Sequence, residues 1–561
     1  MGNPMRRGYR QLISVAVFTL AIAIGGWIYH GPSPRGIDAP PDVPSAARMR
    51  QSLHLLLGRP ALQHSAGTVE GDAYLRRLEV TLKSAVRFQA EATVRRIEIP
   101  FDLEHQDWHP NDRLGLLPEN TILKNLLVTI PGTIPHLRPI LLVTHHDSCP
   151  WGPGAGDASS AVVALVEYAG ILGQNPPRRT THFLFTDGEE FGLLGAHALY
   201  DHQALPIEDP AFVLNFDARG TTGGIPMFET HDNNAAWVTA IIDDLAKPKI
   251  TTSLAVMVYR TLPNATDFDV FSQKFGWPGF NFATIGGAHH YHTPHDIPEN
   301  LSDRTLQHMG DHVASVHQAI DRLTKEQIDA LRRQTTLTPR NAIFFDLFGL
   351  KVITLDATSQ ISLAIFAFAL TWLPILKQGY KIPFQAMFRF VGTGMLPIIA
   401  CAILGIIANV TLKLTPYHQL RYTPVDLFAG LLTIGLAVAT SILILERMIP
   451  KLMPCDNSHE LCDSVWMMSS LLALMAAVLV PAGAYLLVLP AFVASLGRTF
   501  TGRPSIGAWG GWLTTATLVG PLLVLLVQAI GPWNQPVYAI LAALLSIQMA
   551  ATWHHPTVVA K

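Results

Sequence analysis

The chain has 561 residues, a formal net charge of −2 and 49% hydrophobic residues, with a mean hydropathy of +0.28. This near-neutral balance without a basic stripe argues against nucleic acid as a partner, and four cysteines do not indicate a disulfide framework. From about residue 357 several apolar runs of roughly 20 residues follow one another, and this is the length that spans a bilayer. We therefore expect a globular domain and a multi-pass membrane domain.

The first 45 residues predict a membrane anchor and a linker. Three arginines lie within the first ten residues, and an apolar run covers 11–29. No small-residue cleavage site follows this run, which favours an uncleaved signal-anchor over a removed signal peptide. Residues 1–30 would then comprise a cytoplasmic N-terminus and one helix, with the next domain on the outer side. The Pro-rich segment 31–45 predicts a linker that keeps this domain off the membrane.

The middle of the chain, residues 46–335, alternates between strand-like and helix-like segments. Such alternation predicts a largely parallel sheet covered by helices. The strand-like runs are ILKNLLVTI, PILLVTHH, THFLFTD, AFVLNFDA and GFNFATI, and the helix-like runs are AVVALVEYAGIL, NAAWVTAIIDDLA and LQHMGDHVASVHQAIDRL.

A second linker, residues 336–356, leads into an all-α membrane domain at 357–561. Basic residues in the short loops place the globular domain outside the cytoplasm. The stretch 464–496 is either one long span or a hairpin broken near Pro481. The candidate spans are 357–376, 390–410, 425–445, 464–496, 509–530 and 536–553.

Residues that can bind a metal ion follow the predicted strands. His145 and Asp147 come at the end of one apolar run, and Asp157 follows after a Gly/Pro turn. His145 and Asp147 are two apart, so their side chains share a face, and a carboxylate commonly holds the second nitrogen of a metal-bound imidazole. The alternative is a solvated loop pair of no functional significance.

The next strands add further carboxylates and histidines. Glu189 and Glu190 are adjacent after the THFLFTD run. One of them can therefore bind a metal while its neighbour takes up a proton. The alternative is a solvated turn, in which such a pair is also common. Asp217 ends the next strand. Two histidines and three carboxylates suit a pair of zinc ions better than calcium or magnesium. A later loop contains four histidines, of which one or two can reach a single site: His289, His290, His292 and His295.

The order of these motifs resembles metallopeptidase family 28. The matching segments are HHD, GAGD, GEEFGLLG, NFDARG, TDF and YHTPHDIPEN, and they lie within residues 70–322. That family contains the di-zinc aminopeptidases, the glutamate carboxypeptidases and the membrane-embedded endoplasmic reticulum and vacuolar metallopeptidases. The apolar C-terminal half resembles the membrane-embedded branch. The resemblance implies a three-layer α/β/α zinc-exopeptidase domain with a mostly parallel mixed sheet.

The resemblance also implies a role for each matching residue and two Zn²⁺ per chain. Asp157 would bridge the two ions and Glu189 would be the general base. Asp147 would orient His145, and Tyr291 would help to stabilise the oxyanion. Arg219, Asn264 and Asp267 would contact the substrate, with Thr266 in the same pocket segment. The metal ligands would be His145, Asp157, Glu190, Asp217 and His292.

Two positions depart from the family pattern. Ala158 stands where many members have an acid or an amide, which puts support for the bridging aspartate in doubt. Asp217 stands where close relatives often have glutamate, and its shorter arm changes the reach of the carboxylate. All five ligand positions and the position of the general base are nevertheless filled, so a pseudoenzyme is not expected.

The implied function is a membrane-anchored di-zinc exopeptidase. We expect an aminopeptidase that hydrolyses N-terminal peptide bonds with a zinc-bridging hydroxide. The alternatives are a carboxypeptidase with Arg219 as the carboxylate anchor, a glutaminyl cyclase of the same fold, and a non-catalytic membrane scaffold or transporter with a peptidase-like sensor domain. We expect a bacterial inner membrane with the catalytic domain periplasmic, or else an endoplasmic reticulum or vacuolar membrane. The membrane helices would serve as an anchor or as the surface of a homodimer.

Overall fold

The computed structural model describes residues 4–101, 117–377, 399–407 and 458–530, apart from residues 119 and 263, together with a few isolated positions. The chain divides into two compact units. One consists of residues 28–354 and is called the peptidase-like unit below. The other combines residues 1–27 with 355–561 and is called the helical unit.

A seven-stranded mixed sheet forms the centre of the peptidase-like unit. Its strand order is β1-β2-β4-β3-β5-β7-β6. The four central strands, β4, β3, β5 and β7, run parallel to one another, whereas β1, β2 and β6 pair antiparallel at the two sides. The strands are β1 Thr93–Pro100, β2 Ile122–Ile130, β3 Ile140–His145, β4 Thr181–Thr186, β5 Phe212–Ala218, β6 Met227–Thr230 and β7 Gly279–Thr284.

The central strands are apolar without interruption because helices cover both faces of the sheet. Every residue of β3, β4, β5 and β7 is buried. This arrangement confirms the expected α/β/α layers and the mostly parallel mixed sheet. On one face lie α2 Ala46–Leu57, α3 Val69–Ala85, α4 Ser159–Gln174, α6 Ala235–Ile241 and α9 Asp303–Arg322. On the other lie α5 Leu194–Asp201 and the segment 268–277.

The remaining helices of this unit are short or peripheral. They are α7 Ser253–Tyr259, α8 Asp267–Asp269 and α10 Lys325–Leu337.

The segment 31–45 and all but the last two residues of 336–356, which were expected to be linkers, belong to the peptidase-like unit. Residues 31–45 lack regular secondary structure, but Arg35 forms an ion pair of 2.6 Å with Asp311 on α9, which fastens the segment to the domain. Within 336–356 the chain forms a two-stranded sheet, β8 Ile343–Leu347 and β9 Lys351–Leu355. Phe344 buries its ring in the core, because apolar residues in this stretch are numerous enough to pack rather than to remain solvated.

The helical unit contains long apolar helices. They are α1 Pro4–Ile28, α11 Ala357–Lys377, α12 Ser458–Leu479, α13 Pro481–Thr501 and α14 Pro504–Ile530. The stretch 464–496 is divided between two helices that separate at Pro481, a residue that is favoured in the first turn of a helix.

Three segments of the described helices are long and apolar enough to cross a membrane. They are Tyr9–Ile28, Pro481–Thr501 and Ser505–Ala529. The expected spans 425–445 and 536–553 lie almost wholly outside the described residues, and about half of the span 390–410 does so.

Candidate metal centre

The carboxyl ends of the parallel strands bring the candidate residues to one edge of the sheet. His145 is the last residue of β3, and Asp217 lies near the end of β5, the neighbouring parallel strand. Glu189 follows β4, which pairs with β3 on its other side. In α/β sheets this edge is where ligands bind.

Three of these residues form a first cluster, which we call the strand group: His145, Asp157 and Asp217. Their donor atoms lie within 4.8 Å of one another, and all three residues are buried. His145 Nε2 is 3.2 Å from Asp157 Oδ1 and 3.4 Å from Asp217 Oδ1. The shorter arm of Asp217 therefore still reaches the other donors.

A second cluster, the loop group, consists of Cys149, Glu190 and His292. Its donor atoms also lie within 4.8 Å of one another, and all three residues are buried. His292 Nε2 is 3.0 Å from Glu190 Oε2. His292 adopts a left-handed backbone conformation, with φ of 55°, which is sparsely populated by residues other than glycine and is concentrated at functional sites.

Asp157 connects the two groups. Its Oδ1 faces His145 Nε2 at 3.2 Å, and its Oδ2 faces His292 Nε2 at 3.0 Å. Its main chain is held by Asp296, whose carboxylate accepts from the N–H groups of Gly156 at 2.6 Å and of Asp157 at 3.1 Å. Asp296 thus supplies the support that Ala158 cannot provide.

Asp147 joins the strand edge to the turn that carries the two glutamates. Its Oδ1 accepts from the N–H of Glu189 at 3.1 Å, and its Oδ2 accepts from the N–H of Glu190 at 3.3 Å. The ring of His145 donates through Nδ1 to the main-chain carbonyl of Asp147 at 3.0 Å, and the Asp147 carboxylate lies 3.5 Å from the same nitrogen. These contacts point His145 Nε2 towards Asp157.

The electrostatics of the centre favour positive charge. Burial alone would lower the pKa of His145, but Glu189, Asp147, Asp157 and Asp217 outweigh it and raise that pKa well above its usual value. Burial likewise opposes protonation of His292, yet the Glu190 and Asp157 carboxylates raise its pKa to about 9.

The carboxyl groups show the complementary effect. Burial and the Glu190 carboxylate raise the pKa of Asp157 to about 6. Burial, together with the carboxylates of Asp217, Glu190 and Asp267, raises the pKa of Glu189 well above its usual value. The burial of several carboxylates together costs free energy unless a cation compensates their negative charge.

The donor set fits a pair of zinc ions. Zinc binds nitrogen and oxygen donors at about 2.0–2.2 Å in a tetrahedral arrangement, so two ligands of one ion stand roughly 3.3 Å apart. The spacings between donors of 3.2 and 3.4 Å in the strand group and of 3.0 Å in the loop group are close to this value. Asp157 would hold one ion with His145 and Asp217 and the other with Glu190 and His292.

The other candidate residues lie at different distances from this centre. The ring of Tyr291 stacks on that of His292, with centroids 3.6 Å apart. Asp267 is buried and accepts from Thr186 Oγ1 at the end of β4, and burial raises its pKa to about 7. Asn264 is exposed and Arg219 half-buried, and neither belongs to the two donor groups.

Thr266 and three of the four histidines in the later loop are the remaining residues singled out from the sequence. Thr266 is buried and caps α8, and its hydroxyl accepts from Asn281 Nδ2 at 2.8 Å. His289, His290 and His295 also lie outside both donor groups, and His290 contacts Thr221 Oγ1 at 2.7 Å.

Sequence reasoning overlooked Cys149 and Asp296. Cys149 is one of the four cysteines that do not indicate a disulfide framework, and it follows His145 and Asp147 at the same two-residue interval. Asp296 stands within the YHTPHDIPEN segment, but its partners Gly156 and Asp157 are distant in sequence, so no local pattern indicates the contact.

Two linked clusters of imidazole and carboxylate donors at the carboxyl edge of a parallel sheet are groups that could each hold a metal ion. Comparison with known families specifies the class further. Residues 125–317 match the model of "Peptidase family M28", which confirms the resemblance indicated by the motifs.

Curated relatives carry the name vacuolar membrane protease. The protein from Eremothecium gossypii is 29% identical over 244 residues, which is 42% of this chain and 23% of the relative. The protein from Lachancea thermotolerans is 30% identical over 233 residues, or 41% of this chain and 23% of the relative. The matched region therefore spans less than a quarter of the length of these relatives.

Solved structures with a similar chain path include two bacterial proteins. A zinc-dependent exopeptidase from Parabacteroides distasonis is 19% identical, with 50% of this chain and 100% of that chain covered and a TM-score of 0.38. A glutaminyl cyclase from Bacteroides thetaiotaomicron is 18% identical, with 49% and 99% covered and a TM-score of 0.37.

Proposed function

We propose that this chain is a membrane-anchored two-zinc exopeptidase of the aminopeptidase type. The position of Asp157 carries this proposal, because its two oxygens face the histidines of two separate donor groups. The match to a peptidase family and the protease names of the relatives support the same reaction class.

The chemistry divides between the metals and the chain. Bound zinc ions lower the pKa of water and polarise the scissile carbonyl. Glu189 takes the proton of the attacking water and delivers it to the leaving amine, as expected for a half-buried carboxylate beside both groups. Asp147 positions His145 and the glutamate turn. Tyr291, stacked on His292, contributes a hydroxyl for the developing oxyanion.

The surplus of negative charge favours an aminopeptidase over a carboxypeptidase. Two zinc ions carry four positive charges, whereas five carboxylates surround them. A substrate ammonium group is attracted to such a site and a substrate carboxylate is repelled. Under this proposal Asp267 and Asn264 shape the pocket, and Arg219 is not a carboxylate anchor. The five carboxylates are Asp147, Asp157, Glu189, Glu190 and Asp217.

The substitution Glu189→Gln tests the chemical assignment. We expect hydrolysis of an aminoacyl amide to fall by at least about 100-fold, the lower bound for loss of a general acid–base group, with an unchanged zinc content. Glu91→Gln makes the same chemical change at an exposed position and should retain full activity. Retention of activity by Glu189→Gln would exclude Glu189 as the base. Peptides blocked at either terminus distinguish the two exopeptidase types.

For the cellular location, we propose a multi-pass membrane protein with the peptidase-like unit outside the cytoplasm. Three described helices of sufficient length and apolarity support membrane insertion, and the arginines at the N-terminus support the orientation. The same orientation makes the domain periplasmic in a bacterial inner membrane and lumenal in a vacuolar membrane, where the relatives' names place those proteins. The apolar helices would act as the anchor or as a homodimer surface.

A further inference from the structure

We propose that Cys149 is a metal ligand in the loop group, so that one of the two ions has a sulfur donor. The inference rests on the proposed two-zinc function and specifies the coordination of one of its ions. It concerns a residue that neither the motif pattern nor the implied ligand set includes.

The position of the thiol supports this assignment. Cys149 Sγ, a carboxylate oxygen of Glu190 and a ring nitrogen of His292 lie within 4.8 Å of one another. Only 3% of Cys149 is exposed. A buried cysteine commonly behaves as a small apolar residue, but Cys149 belongs to neither of the two large hydrophobic clusters of the peptidase-like unit. Two side chains of metal-binding types, Glu190 and His292, lie beside its thiol.

The chain geometry explains why the thiol faces the loop group. After β3 the chain continues without helix or turn through residue 149, and His145, Asp147 and Cys149 follow one another at two-residue intervals. The Asp147 carboxylate is hydrogen-bonded to the N–H groups of Glu189 and Glu190. These bonds fix this segment alongside the glutamate turn, and Cys149 lies two residues farther along.

A sulfur donor makes the two ions chemically different. With Asp157 shared, the loop group offers four protein donors and the strand group offers three. Zinc binds thiolate at about 2.3 Å, and four donors complete a tetrahedral set, whereas three leave a position for water or substrate. Thiolate also favours softer metals. Cadmium should therefore enter the loop group in preference to the strand group.

Cobalt substitution of the full chain purified in detergent tests the proposal directly. Cobalt bound to thiolate absorbs in the near ultraviolet through a sulfur-to-metal charge-transfer transition, which carboxylate and imidazole ligands do not produce. We expect this band in the wild type and in Cys401→Ser, a matched control that removes a buried thiol from the helical unit. In Cys149→Ser the band should disappear, and the affinity for the second metal should fall by at least about 10-fold, the lower bound for loss of an outer-shell partner.

The outcomes separate this inference from the proposed function. If the wild type binds two cobalt ions without the charge-transfer band, or if Cys149→Ser keeps the band, Cys149 is not a ligand and the two-metal function stands. If the wild type binds no metal, the proposed function itself fails. X-ray absorption at the zinc edge of the wild type provides a test without any variant: a sulfur scatterer at about 2.3 Å supports the proposal and a shell of only nitrogen and oxygen overturns it.

Discussion

The strand group and the loop group are positioned by different kinds of secondary structure. His145 and Asp217 stand at the ends of adjacent parallel strands, and Asp157 lies just before α4. In the loop group, Glu190 belongs to a single 3₁₀ turn, Glu189–Phe191, and His292 to a loop after β7. The register of the sheet fixes His145 and Asp217, whereas individual hydrogen bonds fix Asp157 and the loop group.

The difference identifies which contacts matter for each group. In the strand group, the parallel pairing of β3 with β5 brings His145 and Asp217 to the same edge of the sheet, and Asp296 holds the main chain of Asp157. In the loop group, Asp147 holds the turn of Glu190, and Asp296, four residues after His292, ties that loop to the main chain of Asp157. Removal of a single carboxylate should therefore harm the loop group more than the strand group.

The substitution Asp147→Ala should produce the largest difference between the two groups. It leaves the buried N–H of Glu190 without its acceptor, while the main-chain carbonyl that receives the His145 ring remains. We expect the affinity for one metal to fall by about 10- to 100-fold, as for other partners of metal ligands, and the other metal to be retained. Stepwise metal titration by calorimetry measures both affinities.

The substitution Asp147→Asn is the matched control for this experiment. Its amide oxygen can still accept one of the two N–H groups, so its loss of affinity should lie between those of the wild type and the alanine variant. If Asp147→Ala lowered the affinity for both metals equally, Asp147 would not support the loop group more than the strand group.

Acid should lower the free energy of unfolding of the peptidase-like unit, which contains both groups. This effect should be smaller than that of Asp147→Ala. The N–H of Ile225, just before β6, donates to His308 Nδ1 at 2.9 Å, and burial lowers the pKa of His308 to about 4. The neighbouring His312, with ring centroids 4.3 Å apart, has a pKa that burial and His308 lower well below its usual value. Both rings are therefore neutral in the folded protein.

The sign of the pH effect follows from these values. The unfolded His308 has a pKa of about 6.5, so its neutral form contributes stability that is complete above this pH and is lost as the pH falls towards 4. At pH 5 the loss is about 2 kcal/mol for this one residue. Denaturant unfolding between about pH 7 and 5 measures it.

The substitution His308→Asn isolates the contribution of His308 to the pH dependence of stability, because asparagine can accept from the N–H of Ile225 but does not titrate. The stability of this variant should depend less steeply on pH than that of the wild type. An identical slope in the two proteins would show that His308 does not contribute.

The sequence predicts the centre of the fold better than its edges. The central parallel strands are continuous apolar runs, and for this reason all four were recognised. The edge strand β1 contains Arg95, Arg96 and Glu98, and β6 has only four residues, so neither has the pattern of a buried strand. The edges depend on pairing with partners that a local pattern does not reveal.

The candidate site shows the same limit. The positions of His145, Asp157 and Asp217 follow from strand ends and motif spacing, and the structure brings their donor atoms together. The contacts of Asp296 connect segments about 140 residues apart, and Cys149 looks like an ordinary core residue until the glutamate turn is placed beside it. Such contacts are set by tertiary structure.

The central claim is that Asp157 bridges two metal ions, and zinc per purified chain tests it most directly. Elemental analysis of the wild type and of Asp157→Asn, with aminoacyl-amide hydrolysis measured on the same samples, provides the comparison. The account predicts about two zinc ions in the active wild type and loss of both metal and hydrolysis in the variant, because both groups depend on this carboxylate. Zero or one zinc in the wild type, or two zinc ions retained by the variant, would contradict it.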